Sequence, residues 1–205
     1  MTTAPRTLLQ IAGATARPPA LAQAALVVID AQNEYVDGRL PLDGVGPAVA
    51  AIARLLDLAR GQGVPVFHIL HQGSPGGALF DPTSPAAAII PAAAPRSAEP
   101  VIAKRLPNAF AGTDLEERLR ATGRSGLILA GFMTHMCVAA TARAALDLGF
   151  ASAVVAAATA TRDLPDPLGG VVPAAAVQRA ALASLADRFA VVVADETALT
   201  VAREG

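Results

Sequence analysis

Residues 126–149 constrain the possible folds of this chain more than any other stretch. They begin with an apolar run, 127–130, that is too short for a helix and is typical of a strand buried on both faces. Gly131 interrupts the run, and a helical pattern of small residues continues to Gly149, a residue typical of helix C-caps. Cys137, the only cysteine among the 205 residues, falls in the first turn of this predicted helix. The single thiol is therefore predicted to lie where a buried strand meets a helix.

The first turn of a helix is a suitable place for a reactive thiol. Its unpaired backbone N–H groups and the positive end of the helix dipole stabilise an anion, so we expect the thiolate form of Cys137 to be favoured. Neighbouring amides could also hold an oxyanion formed by attack on a carbonyl. The alternative is that Cys137 is an inert small residue of the core.

Strand and helix patterns alternate along the chain. The predicted strands are 25–30, 64–70, 101–104, 127–130, 153–157 and 190–194, and the predicted helices are 45–60, 113–122, 131–149 and 174–188. The helix at 113–122 opens with a capping-box signature, Thr113 to Glu116. This alternation predicts an α/β fold of three layers, a six-stranded and mostly parallel sheet with helices on both faces. Residues 1–24 are predicted to be an N-terminal arm and residues 25–205 a single domain.

Composition and charge exclude several classes of function. Hydrophobic residues make up 53% of the chain, which favours a packed core over disorder. The net charge is -1 and no basic block is present, so we expect no binding to nucleic acids or to membranes. One cysteine forms no internal disulfide, and the beginning of the chain has no continuous apolar segment of the kind found in signal peptides. We therefore expect a cytoplasmic protein.

Three residues that carry chemistry follow or end predicted strands. Asp30 and Lys104 end strands, and Cys137 comes shortly after one. Because sites in parallel sheets form at the carboxyl ends of the strands, we expect these side chains to meet at one edge. Asp30 could then take the thiol proton, and the Lys104 cation would favour the thiolate. The alternative is that Asp30 and Lys104 form only a structural ion pair.

Three short motifs resemble those of the isochorismatase-like cysteine hydrolases. They are 29–35 (Ile-Asp-Ala-Gln-Asn-Glu-Tyr), Lys104 followed by 108–110 (Asn-Ala-Phe), and 131–138 (Gly-Phe-Met-Thr-His-Met-Cys-Val). This superfamily includes nicotinamidases, N-carbamoylsarcosine amidohydrolase, ureidoacrylate amidohydrolases and streptothricin hydrolase. The resemblance implies the three-layer fold of that family, usually in homo-oligomers, and so a homodimer or a homotetramer.

The resemblance also implies a role for individual residues. Asp30 would be the general base, Lys104 the third member of the triad and Cys137 the nucleophile. A cis peptide bond would join Phe132 to Met133, and the amides of Met133 and Cys137 would form an oxyanion hole.

Other residues near these motifs are candidates for the wall of a substrate pocket. They are Gln32, Asn33, Tyr35, Phe110, Thr134 and His135. We predict no metal ion and no other cofactor. The histidines nearest the place where nicotinamidases bind metal are His68 and His71, which have no Asp two positions earlier and which a strand would direct to opposite faces.

The resulting hypothesis is a hydrolase of a small amide-like C–N bond, in an amide, ureide or lactam, acting through a thioester. Two alternatives stay open. One is a vinyl ether hydrolase of the isochorismatase type, and the other is a protein that uses the thiol for redox sensing or binding without turnover. The Asp30–Gly38 segment lacks the glycine-rich turn that would hold a dinucleotide.

Overall fold

A computed structural model describes residues 4–14 and 16–200 and shows a six-stranded sheet between helices. The strands are β1 (Ala24–Ile29), β2 (Val66–His71), β3 (Val101–Lys104), β4 (Gly126–Phe132), β5 (Ala151–Ala160), β6 (Leu164–Pro165), β7 (Val171–Val172) and β8 (Val191–Val193), and the helices are α1 (Leu8–Ile11), α2 (Val45–Gly61), α3 (Leu115–Ala121), α4 (Ala139–Asp147) and α5 (Ala174–Arg188). The main sheet has the order β3-β2-β1-β4-β5-β8, and every pairing in it is parallel. The predicted fold is confirmed.

Two apolar layers cover the two faces of this sheet. Along β1, Leu26 and Val28 face α2, whereas Val27 and Ile29 face the layer that contains α3, α4 and α5. All six β1 residues are buried, because a central parallel strand is covered on both faces. Among the described residues, no helix is long and apolar enough to cross a lipid bilayer.

The N-terminal arm contains more regular structure than its prolines suggest. Thr7 begins α1 with a capping box, in which Thr7 Oγ1 accepts from the Gln10 amide at 3.1 Å and Gln10 Oε1 accepts from the Thr7 amide at 2.9 Å. Asp187 of α5 accepts a hydrogen bond from the Leu8 amide, which joins the arm to the domain. Residues 1–3, 15 and 201–205, which the predicted arm and domain include, lie outside the described residues.

The capping box predicted at Thr113 is wrong. Asp114 is the N-cap residue of α3, and its side chain pairs with Arg118 at 2.7 Å instead of capping an amide. Thr113 Oγ1 donates to the Ala109 carbonyl at 2.6 Å, so it fixes the preceding loop. The sequence pattern alone does not show which of two adjacent polar residues turns the chain into the helix.

The long segment 72–100 packs onto the domain. It has only two short 3-10 turns, Pro85–Ala87 and Pro91–Ala93. The Ile90 amide donates to the Ala31 carbonyl and the Asn33 amide donates to the Ala88 carbonyl, both at 2.9 Å. The middle of this segment is therefore tied to the chain just after β1, beside the predicted site.

Gly131 lies where a side chain on β4 would collide with the backbone of β1. Gly131 pairs with Ile29, directly before Asp30, and has a φ of +111°. A Cβ atom at this position would lie 1.9 Å from the Ile29 carbonyl oxygen. Only glycine fits here, because a side chain would force the two strands apart where they deliver Asp30 and Cys137.

We therefore expect Gly131→Ala to lower the free energy of unfolding by about 3 kcal/mol or more, through overpacking and backbone strain together. Gly149→Ala is the matched control, because Gly149 also has a positive φ (+82°) but has open space around it. Its loss should be limited to backbone strain, about 1–2 kcal/mol. Urea denaturation measures both, and equal losses would show that the close approach at Gly131 is not limiting.

Candidate active site

Asp30, Lys104 and Cys137 meet at the carboxyl ends of the strands. The Lys104 ammonium donates to Asp30 Oδ2 at 2.6 Å and lies 3.4 Å from Cys137 Sγ. The three residues are 0%, 2% and 4% exposed. The spatial convergence expected from the strand ends is confirmed, and the Asp30–Lys104 ion pair is one part of a three-residue group.

Asp30 is held in a defined backbone position. Its φ is +49°, in the left-handed region that Asp adopts more readily than most residues. Its amide donates to the Ile69 carbonyl at 2.9 Å, and its carbonyl accepts from the Gln32 amide at 2.8 Å. Within the described residues, Asp30 Oδ1 has no hydrogen-bond partner. One carboxylate oxygen is therefore committed to Lys104 and the other is open to accept a proton.

Burial dominates the acid–base properties of this group. Burial raises the pKa of Asp30 from 3.8 to about 6, although the Lys104 cation lowers it. Burial, and next the Asp30 charge, raise the pKa of the Cys137 thiol from 9.0 to about 12, although Lys104 lowers it. The expectation of a resting thiolate was therefore wrong. The loss of water around the sulfur atom and the nearby Asp30 carboxylate both favour the protonated thiol.

The peptide bond between Phe132 and Met133 is cis, at the position that the family resemblance implies. Residues Thr134–Val138 follow it as a single π-helical turn, and α4 continues from Ala139. Cys137 thus lies within the first turn after β4, with Met133 four positions before it.

Tyr35, Phe80 and Phe132 form an aromatic wall near the triad. The ring of Tyr35 lies edge-on to Phe80 at 5.3 Å and to Phe132 at 5.7 Å. Burial, and next the charge of Asp30, raise the pKa of Tyr35 well above its ordinary value, so its hydroxyl keeps its proton. Phe80 stands at a φ of +53°, unusual for a bulky residue, and brings the long segment 72–100 to the site.

The other pocket candidates have different surroundings. Gln32 is fully buried, and both its N–H donors are taken by the carbonyls of His71 (2.9 Å) and Ala87 (2.7 Å). Asn33 donates to the Pro85 carbonyl at 3.1 Å. Both side chains therefore hold the segment 72–100 in place, and Gln32 has no N–H left to donate to a substrate.

The remaining candidates, Thr134, His135 and Phe110, lie in two different places around the turn 134–138 that contains Cys137. Thr134 is buried and donates to the Ala160 carbonyl at 3.0 Å, and His135 Nδ1 lies 2.6 Å from Thr161 Oγ1. Both contacts attach the turn to the end of β5. The Phe110 ring instead stacks on Phe150, with 6.1 Å between the ring centroids, and so packs against the apolar layer that contains α3.

Sequence reasoning considered His71 only as a possible metal ligand and did not connect it with Lys104. His71 Nδ1 lies 3.1 Å from Lys104 Nζ, and its ring lies edge-on to Phe80 at 4.9 Å. Burial, and next the Lys104 cation, lower the pKa of His71 to about 4, so it is neutral at physiological pH. His71 and Lys104 end two adjacent parallel strands and are paired in register, so the contact follows from how β2 and β3 align.

The arrangement bears on metal binding as well. One ligand atom each of Asp30, His71 and Cys137 lies within 4.8 Å of the others, a group that could hold a cation. Lys104 Nζ is within 3.4 Å of an atom of each, so these three residues already surround an ammonium ion. His68 contacts Glu99 at 2.9 Å and belongs to a different cluster. That the protein works without a metal stays a prediction.

A cavity of about 440 Å³ adjoins the site on the side of His71 and Phe80. It is formed by β2 and the segment 72–100, and no charged side chain lines it. Most of its wall is apolar, including Leu70, Ile89 and Val101. The cavity suits a neutral and largely apolar group.

Known proteins are similar to this chain in both sequence and fold. The isochorismatase domain family matches this chain over residues 24–197. The chain belongs to the isochorismatase family. The crystal structure of an isochorismatase from Pseudomonas putida KT2440 is 46% identical, with a TM-score of 0.88 over 93% of this chain and 97% of that one.

Several named proteins are also similar in sequence to this chain. A secreted isochorismatase effector of Verticillium dahliae is 34% identical over 87% of this chain and 93% of that protein. A streptothricin hydrolase of Streptomyces noursei is 37% identical over 82% of this chain and 61% of that protein. A maleamate amidohydrolase of Pseudomonas putida is 35% identical over 64% of this chain and 69% of that protein. The family of hydrolases that the motifs resemble is thus confirmed.

The electrostatics predict opposite effects of two substitutions on the thiol. Asp30→Asn removes a negative charge that raises the pKa of Cys137, so the thiol should become more acidic and react faster with iodoacetamide. Lys104→Met removes a charge that lowers this pKa and should slow the reaction. Each unit of pKa changes the thiolate fraction about tenfold at a given pH.

The alkylation rate of Cys137, followed by mass spectrometry from about pH 7 to pH 10, measures both effects. Circular dichroism of each variant controls for folding. Parallel changes in the two variants would contradict the assignment of charges at this site.

Proposed function

We propose that this protein is a cysteine hydrolase of a small amide-like C–N bond and acts through a thioester. The observation that carries the proposal is the position of Cys137 Sγ, 3.4 Å from the Lys104 ammonium and close to a carboxylate of raised pKa. A thiol needs a base to remove its proton and a cation to hold its charge, and the site offers both. The similar streptothricin hydrolase and maleamate amidohydrolase support this class of reaction.

In the proposed mechanism, Asp30 accepts the proton of the Cys137 thiol while the sulfur atom attacks the substrate carbonyl. The amides of Met133 and Cys137 hold the resulting oxyanion. Protonated Asp30 then donates to the leaving nitrogen, the C–N bond breaks and a thioester remains. Asp30 next takes a proton from a water molecule that attacks the thioester. The C–S bond then breaks, the acid is released, and Asp30 returns the proton to the departing sulfur atom, which restores the thiol and the carboxylate.

Lys104 keeps Asp30 oriented during these steps. Its ammonium contacts the carboxylate and the sulfur atom at the same time, so it stabilises whichever of them carries the negative charge. Since the transferred proton only moves between these two groups, the net charge of the buried site stays constant during attack.

The substrate is proposed to be a small molecule, because Cys137 is nearly enclosed and the adjacent cavity is small and uncharged. A homodimer or homotetramer also stays a prediction. The cytoplasmic location also stays a prediction, and the similar protein of Verticillium dahliae is a secreted effector.

Vinyl ether hydrolysis is the second candidate, supported by the similarity to an isochorismatase effector. That reaction requires a proton donor for the enol carbon and no covalent attack by sulfur, so Asp30 alone could serve it. A redox-sensing role has less support. Sensor thiols are accessible and have a low pKa, whereas Cys137 is 4% exposed and has a raised pKa.

Ammonia or amine release from a panel of amides, ureides and lactams tests the reaction. We expect turnover by the unchanged protein and a loss of about a thousandfold or more in Cys137→Ala, because the bond to the acyl group cannot form. A thioester adduct of the acyl group on Cys137, trapped by rapid acid quench, would support the covalent step. Turnover that persists in Cys137→Ala, or that occurs only with a vinyl ether, would contradict the proposal.

The pH dependence of kcat/KM tests the role of Asp30. The base must be ionised to accept the thiol proton, so activity should fall about tenfold for each pH unit below about pH 6. A limb near the ordinary Asp value of 3.8 would indicate that burial does not control this carboxyl group. Rates should be measured with circular dichroism at each pH, so that acid unfolding is recognised separately.

A further inference from the structure

The Lys104 ammonium has three N–H donors, and the structure offers it three acceptors. They are Asp30 Oδ2 at 2.6 Å, His71 Nδ1 at 3.1 Å and Cys137 Sγ at 3.4 Å. Two of these belong to the proposed triad, and the third has no role in the mechanism above. Lys104 is 2% exposed, so without His71 one N–H of a buried cation would lack a partner.

The contact also fixes the chemical form of His71. An ammonium only donates, so Nδ1 of His71 must be the acceptor and the proton of the neutral ring must lie on Nε2. The charged groups near this ring are Lys104 of β3 and Asp30, which follows β1, and the thiol of Cys137 lies within 4.8 Å. From the segment 72–100, the uncharged ring of Phe80 lies edge-on to it.

His71 is itself held rigidly. Gln32 forms a pair of hydrogen bonds with the backbone of His71, accepting from its amide and donating to its carbonyl, both at 2.9 Å. Phe80 packs edge-on against the imidazole ring. Since both neighbours are themselves buried, the ring has a fixed position from which to accept a hydrogen bond from Lys104.

We propose that His71 is a positioning residue of the reaction, which directs one N–H of Lys104 away from the triad so that the other two stay on Asp30 and Cys137. This inference rests on the proposed function. Without the His71 acceptor, the buried ammonium is less stable and its remaining donors are free to rotate, so it stabilises the developing thiolate less.

A comparison of His71→Leu with His71→Asn tests the acceptor. Leucine fills the space without an acceptor, whereas the Asn side chain carries an oxygen that can accept from Lys104. We expect Cys137 in His71→Leu to react with iodoacetamide about tenfold more slowly than the unchanged protein at about pH 8, with the rate profile moved to higher pH. His71→Asn should restore at least part of the rate and the profile.

Turnover provides a second comparison. With an amide substrate, His71→Leu should lower kcat and leave KM nearly unchanged, and His71→Asn should restore kcat in part. A rate profile in His71→Leu equal to that of the unchanged protein, or an equal loss in His71→Leu and His71→Asn, would overturn the proposal.

Nitrogen NMR of the three histidines gives a readout that needs no substitution at His71. We expect His71 to show the Nε2–H neutral form at neutral pH and to protonate only near pH 4. In Lys104→Met its pKa should rise, because the cation that lowers it is gone. A protonated ring at neutral pH, or the Nδ1–H form, would overturn the inference.

These measurements separate the inference from the proposed function. Alkylation and NMR require no substrate, so they test His71 even when every amide in the panel fails. If amide turnover depends on Cys137 and the His71 variants behave like the unchanged protein, only the inference about His71 falls.

Discussion

The buried ion pair between Asp30 and Lys104 is the interaction on which the rest of the site depends. Removing two charges from water costs several kcal/mol per ion, and a single broken partner costs about 3–5 kcal/mol. The pair therefore persists only because β1 and β3 end at the same edge of a closely packed sheet, with Oδ2 and Nζ 2.6 Å apart. Burial still outweighs the attraction for Asp30, since its pKa is raised rather than lowered. A carboxylate left in this state is a better base than one that is fully stabilised by its cation.

Polar side chains of the loop after β1 hold the segments around this ion pair in place. Gln32 joins the backbone of His71 to the segment 72–100, and Glu34 accepts from the amides of Arg39 (2.8 Å) and Phe80 (3.0 Å). Both side chains are buried, and both form their hydrogen bonds with backbone groups. The short loop that begins with the proposed base thus also fixes the aromatic wall and the histidine. Its polar residues serve the site through other residues more than by touching a substrate.

The sequence predicted those parts of the molecule that depend on local pattern and on strand ends. Helix α5 has the predicted bounds, and Asp30, Lys104 and Cys137 converge as expected because the ends of parallel strands share one edge. Properties that depend on contacts between residues distant in the chain could not be predicted from the sequence. The acidity of Cys137 depends on burial and on a carboxylate 107 positions earlier in the chain, and Phe110 follows Lys104 in sequence but stacks on Phe150. The contact of His71 with Lys104 requires the register of β2 on β3, which no local pattern specifies.

Three of the few aromatic residues of the chain lie beside the triad. Aromatic residues are only 3% of the sequence, yet Tyr35, Phe80 and Phe132 stand together beside the triad. Large flat rings make a rigid wall with few rotatable bonds, which suits a site whose charged groups must keep fixed positions.

Small residues of α4 allow this helix to pack close to the sheet. Helix α4 buries Ala139, Ala142 and Ala145, so its backbone lies close to the sheet and the turn before it carries the sulfur atom of Cys137 to within 3.4 Å of Lys104. Bulkier residues at those positions would move the helix outward and separate the thiol from Asp30 and Lys104.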